Sequence, residues 1–191
     1  MGNDADEIRN WWSTSIIDMS PGKISFRGNE IENLIGNISF PQMIWMMVRG
    51  GLPTNEEASL FEAALVAGVD HGPQAPSIAA ARMAATCGVG INNAMATGIN
   101  MLGDIHGGAG EQCAELFYEI SLRIDNGATF EKAIQEALRE WESGNGKIIS
   151  GFGHRFHKPI DPRAPRLLEL VRLAAKENIV SGKYADIAEA I

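Results

Sequence analysis

The sequence predicts a mainly α-helical fold with a short β-hairpin or arm near the N-terminus, and three observations carry that reading. From Ser39 onward apolar residues recur at three- and four-residue steps, the period of one helix face. Helix punctuation brackets these stretches: Thr54-Asn55-Glu56-Glu57 has the form of a capping box, and Gly50-Gly51 and Gly144-Asn145-Gly146 are stops. Residues 11–40 read differently. There Trp11, Trp12 and Ile16 mix with Gly22, Gly28 and Gly36, and Lys23-Ile24-Ser25-Phe26-Arg27 reads as extended chain.

The elements follow in order. Phe40, Ile44, Met47 and Val48 share a face, with Pro41 suited to a first turn. The helix opened by Thr54 carries Leu60, Phe61, Ala64 and Leu65. Helices over 77–86 and 91–101 are rich in Ala, Gly and other small residues, a composition that permits close helix approach within a core or between subunits. After Gly107-Gly108 a helix runs through Cys113, Leu116, Phe117 and Ile120. Thr129 opens the next, with Ala133, Ile134, Ala137, Leu138 and Trp141 on one face. A short apolar piece, Lys147-Ile148-Ile149-Ser150, precedes a helix bearing Leu167, Leu170, Val171 and Ala174. The segment 184–191 stops inside an amphipathic pattern without a cap, so a continuation beyond Ile191 is expected.

Composition narrows the class. With 45% hydrophobic and 21% charged residues the chain is globular. A net charge of −8 argues against nucleic acid or an anionic membrane as the main partner. An acidic protein with an anionic substrate must therefore concentrate its cations locally. Cys87 and Cys113 form no CxxC pair and read as core thiols of a reducing compartment. The acidic N-terminus has no signal-peptide core, Met1-Gly2 lacks the Ser or Thr of a myristoylation site, and no run reaches the ~20 apolar residues of a membrane span. A cytoplasmic location is expected.

Chemistry concentrates at histidines. Three of the four stand beside glycine in non-repetitive segments: His71-Gly72, Gly103-Asp104-Ile105-His106-Gly107-Gly108 and Gly151-Phe152-Gly153-His154. Glycine there allows a positive φ or close approach to a ligand. A helix starting just after His106 would set that imidazole at a positive dipole end, where it could donate to an oxygen gaining charge. One His beside one Gly is ordinarily structural, and three such sites leave both readings open. The run Arg155, His157, Lys158, Arg163 and Arg166 reads equally as a solvated basic face or as a fixed cationic wall for carboxylates and phosphates. Gly151-x-Gly153 is only part of a phosphate loop. The histidine intervals of 35, 48 and 3 residues, without Cys pairs or an HExxH motif, give no zinc pattern, so no metal is expected. A GxSxG nucleophile elbow is absent from the sequence.

Three segments together resemble the citrate synthase superfamily. Residues 151–164, Gly-Phe-Gly-His-Arg-Phe-His-Lys-Pro-Ile-Asp-Pro-Arg-Ala, are similar to its G-[FY]-G-H-x…D-P-R signature. Asp104-Ile105-His106-Gly107-Gly108-Ala109 is similar to its L-H-G-G-A loop. Val69-Asp70-His71-Gly72-Pro73 resembles its first histidine motif, and more so the D-H-G-P segment in the citryl-CoA lyase part of ATP-citrate lyase. Phe26-Arg27-Gly28-Asn29-Glu30-Ile31 and Gly51-Leu52-Pro53-Thr54-Asn55-Glu56-Glu57 resemble two upstream pieces, so the match covers residues 24–175. Only residues 58–70 separate the second piece from His71, as in shortened citryl-CoA lyase-like members. The family's catalytic aspartate, in an N-[IV]-D segment downstream of His154, is not among these residues, and Asp186 stands in a different context.

The resemblance implies a mainly helical citrate synthase-like fold, with residues 1–106 as part of the large lobe including arm and dimer-interface helices, and 107–191 as a small-lobe-like region with a CoA-binding loop. It implies cleavage of citryl-CoA to acetyl-CoA and oxaloacetate, or the reverse condensation. His106 would hydrogen-bond the thioester oxygen, and His154 would exchange a proton with the oxaloacetate carbonyl oxygen. His71 and Arg163 would hold carboxylates. Ile148, Ile149, Gly151, Phe152, Gly153 and Lys158 would meet coenzyme A, which enters as substrate rather than cofactor. A homodimer or higher homo-oligomer is implied. The alternative is a non-catalytic CoA-binding or dimerising module.

Overall fold

The computed structural model of the protein describes residues 3–154 and 156–191; Met1-Gly2 and Arg155, the first cation of the basic run, lie outside them. The chain packs as two compact units, Met1–Ala63 and Ala64–Ile191.

In the first unit, helix α1 (Asn3–Trp11) precedes a three-stranded antiparallel meander of β1 (Ile17–Ser20), β2 (Lys23–Phe26) and β3 (Asn29–Glu30). The register Ser20↔Lys23 leaves Pro21-Gly22 as a two-residue turn, with Gly22 at φ +78°. The register Phe26↔Asn29 leaves Arg27-Gly28, both at positive φ (49° and 82°), the primed turn that matches strand twist. The expected hairpin is thus present. Helix α1 was not foreseen, because its acidic sequence carries too few apolar residues to show a helical face; Asp6 and Arg9 pair one turn apart at 3.8 Å.

Helix α2 (Ile31–Leu34) is a single turn, and α3 (Phe40–Arg49) opens with a capping box between Ser39 and Gln42. The predicted box at the next helix is formed as well. Glu57 Oε2 accepts from the Thr54 amide at 2.8 Å, and the Glu57 amide donates to Thr54 Oγ1 at 3.1 Å. Leu34, Met46 and Ala58 are buried, and Trp45 meets Phe61 edge-on at 5.7 Å. Helix α4 (Asn55–Ala67) carries the chain into the second unit.

The second unit holds α5 (Pro76–Thr86), α6 (Ile91–Ile99), α7 (Ala109–Asp125), α8 (Phe130–Asn145), α9 (Arg163–Lys176) and α10 (Lys183–Ala190). Helices α5 and α6 touch through small residues: a Cβ on Gly98 would lie 3.0 Å from the Ser77 carbonyl oxygen and 3.2 Å from Ala81 Cβ. The core gathers Leu116 and Ile120 of α7, Ala133, Ile134 and Ala137 of α8, and Ile187 of α10. Thr129 caps α8 by accepting from the Lys132 amide, and Gly146 ends it at φ +82°. Arg172 of α9 pairs with Asp186 and Glu189 of α10, and Lys183 with Asp125 of α7 at 2.7 Å. Among the described residues, no helix is long and apolar enough to cross a membrane. The mainly helical expectation holds.

Candidate active site

A cleft of about 920 Å³ in the second unit is lined by the ends of α4 and α7, the 151–161 loop, α9 and α10. Of the residues singled out from sequence, His71, Gly151, Phe152, Gly153, His154, Lys158 and Arg163 line it. His106, Ile148 and Ile149 are not among its walls. Ile149 is bonded to the wall residue Phe152, whereas His106 bonds to Ser77 of α5, which is not among the walls either.

The His71 segment is a glycine turn. Asp70 Oδ1 accepts from the Gly72 amide at 3.0 Å, Gly72 sits at φ +77°, and the exposed His71 faces the cleft just before α5 begins. The first turn of a helix has amides without intrahelical partners. One of them, Ser77 N–H of α5, donates to His106 Nε2 at 3.1 Å. Sequence reasoning expected the amino end of the helix that follows His106. The imidazole is met by the amino end of α5, because its own loop turns back before α7 starts.

That loop is tightly closed. Gly103 N–H donates to the His106 carbonyl at 2.9 Å and Gly108 N–H to the Gly103 carbonyl at 3.0 Å. Gly107 has φ +114°, and a Cβ on Gly108 would press to 2.7 Å on the Asp104 carbonyl oxygen. Since Nε2 accepts, the ring proton sits on Nδ1, which is left as a donor.

The 147–157 loop is fixed from two sides. Trp141 Nε1 donates to the Ile148 carbonyl at 3.0 Å, while Ile149 packs on the core. Both isoleucine carbonyls are engaged, since Ile149 accepts from the Phe152 amide at 3.1 Å. Phe152 meets Phe117 of α7 edge-on at 6.1 Å, and Gly151, at φ +83°, leans so closely on α7 that a Cβ would lie 2.8 Å from Cys113 Cβ. Burial pushes the Cys113 thiol up. His154 Nδ1 accepts two amides, from Phe156 at 3.1 Å and His157 at 3.3 Å, so its proton is on Nε2. The His157 ring lies 4.5 Å from that of His154.

Arg163 opens α9, but its fork is not free. Nε donates to Asp161 Oδ1 at 2.9 Å and Nη2 to Oδ2 at 2.6 Å, while Nη1 reaches the Ala67 carbonyl at 3.3 Å. The Arg163 guanidinium, chiefly through these side-chain hydrogen bonds, holds the Asp161 carboxyl well below the usual carboxylate range. The expected two-point clamp for a substrate carboxylate is closed on a neighbour two residues away. Apart from its bond to the Ala67 carbonyl, the Nη1 side is the part of the fork that Asp161 leaves open.

His154, His157 and Asp161 bring ligand-type atoms within 4.8 Å of one another. Both Asp161 oxygens are already in the guanidinium fork and His154 Nδ1 is in use, which is poor provision for a cation. Asp186, set aside from sequence, is paired with Arg172 and does not line the cleft.

Sequence reasoning missed Ser77, Asp161 as the fork's occupant, and Gln112. Gln112 Nε2 donates to the Asp104 carbonyl at 3.0 Å, and its Oε1 accepts from Ser150 Oγ at 2.5 Å. Its partners are 8 and 38 residues away, outside any local spacing rule.

The chain matches the family described as "Citrate synthase, C-terminal domain" over residues 53–191. It is 35% identical over 146 residues to the citrate synthase of Deinococcus radiodurans, covering 76% of this chain and 36% of that protein. Among solved structures it resembles a citryl-CoA lyase from Hydrogenobacter thermophilus, with TM-score 0.73, 30% identity, and coverage of 94% of this chain and 76% of that one. An ATP citrate lyase from Methanothrix soehngenii, in complex with citrate and coenzyme A, shares the fold with TM-score 0.73 at 19% identity, over 98% of this chain and 30% of that one. The chain spans about a third of the length of the citrate synthases it matches. With the glycine-turn histidines, the cleft and these matches together, the chain belongs to the citrate synthase family and is a citryl-CoA lyase-like member of it.

Proposed function

We propose that this chain handles the thioester and keto acid in the reaction citryl-CoA ⇌ acetyl-CoA + oxaloacetate. One observation carries the reading: His106 and His154 are each held at one ring nitrogen by backbone amides, in opposite tautomers, so each presents a fixed N–H donor. Cleavage needs two oxygens stabilised at once. As the carbon–carbon bond breaks, its electron pair moves onto the acetyl carbon and the thioester oxygen, while the citryl hydroxyl returns its proton to His154 Nε2 and becomes the oxaloacetate carbonyl; in condensation the keto oxygen takes that proton from Nε2–H as it becomes the hydroxyl. His106 Nδ1–H suits the first oxygen and His154 Nε2–H the second. Preorganised donors of this kind are each worth roughly 3–4 kcal/mol. His71 and the Nη1 side of Arg163 suit the keto acid's carboxylates, and Lys158 with the Gly151–Gly153 turn suits coenzyme A, bound as substrate.

Dimerisation belongs to the same reading. Met83, Ile91, Met95 and Ile99 of α5 and α6 are largely exposed, an apolar stripe suited to a second copy. The competing reading, a non-catalytic CoA-binding module, is favoured by one fact. The carboxylate among the described lining residues is Asp161, already paired, and the proton on the acetyl methyl carbon needs a base.

Incubation with citryl-CoA, and separately with acetyl-CoA plus oxaloacetate, tests the proposal. Thioester cleavage to oxaloacetate, or condensation, is the expected result. Binding of coenzyme A with no turnover in either direction selects the module, and neither binding nor turnover rejects both.

A further inference from the structure

We infer that Gln112 is a positioning residue that couples the His106 loop to the His154 loop, so that neither donor is set independently of the other. The inference rests on the proposed reading for its catalytic meaning and on the structure alone for its mechanics.

The two loops are far apart in sequence, and the hydrogen bonds within each do not connect them. Gly103, His106 and Gly108 close the first loop on itself. Phe152, Phe156 and His157 amides close the second. Gln112, in the first turn of α7, spans the gap with both ends of one amide. Its N–H side takes the Asp104 carbonyl, two residues before His106, and its carbonyl side takes Ser150 Oγ, four residues before His154. The donor and acceptor of one planar amide are fixed relative to each other, so losing one partner frees the side chain to leave the other. Asp104 is also the residue whose backbone leaves no room for a Cβ at Gly108, so the strap grips the loop where it passes closest to itself. Donors must be held to within a fraction of an ångström to act on developing charge, and a Gln with both ends engaged fixes two at once.

The substitutions separate the arms. Gln112→Met keeps length and helix preference and removes both bonds. Gln112→Glu keeps the acceptor for Ser150 and loses the donor to Asp104. Ser150→Ala removes only the second bond, and Ser150→Thr restores a hydroxyl.

The primary readout is native-state amide exchange of the ligand-free protein, which does not depend on activity. Gln112→Met is expected to speed exchange about tenfold, the value of one hydrogen bond, at Gly103 and Gly108 and also at Phe152 and Phe156. Ile120 and Ile134 in the core keep their rates. Ser150→Ala speeds Phe152 and Phe156 and, through the released Gln112, Gly103 and Gly108 by a smaller factor, and Ser150→Thr reverses both; acceleration confined to Phe152 and Phe156 would show two independent bonds and overturn the coupling. The double variant Gln112→Met/Ser150→Ala is no faster at Phe152 than Gln112→Met alone.

With citryl-CoA, Gln112→Met should lower kcat about tenfold or more with KM little changed, as expected when donors act mainly on the transition state. Unchanged exchange at both loops, or acceleration spread evenly through the core, overturns the inference. Normal exchange effects without turnover in the unaltered protein leave the strap standing and reject the proposed reaction.

Discussion

At the scale of single residues, chemistry rests on which nitrogen of each imidazole is spoken for. Ser77 N–H fixes His106 and the Phe156 and His157 amides fix His154, so the free donors are Nδ1 and Nε2 respectively. Replacing His106 by Ala is expected to lower citryl-CoA turnover by about 10²- to 10³-fold, the cost of one oxyanion donor, with near-normal thermal unfolding. Near-normal turnover would refute its role.

Arg163 acts through geometry. Lys cannot hold Asp161 by two bonds and present a fixed Nη1 donor at once, so Arg163→Lys should release Asp161 and weaken oxaloacetate binding about tenfold or more. Unchanged affinity counts against a carboxylate site there. The Asp161 pair also has a pH signature. Its carboxyl is depressed in the folded protein, so its stabilisation is fully present above the unfolded value of about 3.9 and fades as pH falls through the lower folded value. Asp161→Asn should therefore lower the melting temperature above about pH 5 and converge with the parent protein in stronger acid. A difference that persists in acid would show a cause other than ionisation.

At the scale of elements, glycine positions tell which turns could be read from sequence. Gly72, Gly107, Gly151 and Gly153 all take positive φ, which is why the histidine turns were visible as histidine beside glycine. Capping boxes were visible for the same reason: Thr54 and Glu57 carry the donors and acceptors within three residues. The Asp161–Arg163 pair was within reach too, since an Asp accepting from the amide two residues on is a common turn. Ser77 and Gln112 were not, because their partners come from packing of α5 and α7, which no local rule supplies.

Gly151→Ala tests how closely the 147–157 loop must lean on α7. A Cβ there would stand 2.8 Å from Cys113 Cβ and 2.9 Å from Sγ, on a backbone at φ +83°. Overpacking of this kind costs about 1–3 kcal/mol, and the loop should swing away, weakening coenzyme A binding. Calorimetry showing parent-like binding and unfolding would contradict that packing.

At the scale of the molecule, the second unit is the one that carries the candidate site. Its core joins α7 and α10, which line the cleft, to α8, with Ile120 and Ile187 fully buried. Ile187→Ala is expected to destabilise the protein by about 2–5 kcal/mol in denaturant unfolding, a cost below 1 kcal/mol being incompatible with that core. The mainly helical class was legible because helix periodicity is local. The boundary at residue 63 was not, because it depends on which helices pack together.

The central claim is that three histidine turns, distant in sequence, serve one ligand pair. The most direct measurement is a ¹⁵N imidazole spectrum of the protein titrated with citrate and coenzyme A. The account predicts that His71, His106 and His154 shift together along one binding curve, with His106 protonated at Nδ1 and His154 at Nε2. Resonances that stay still, or that move at separate ligand concentrations, would contradict it.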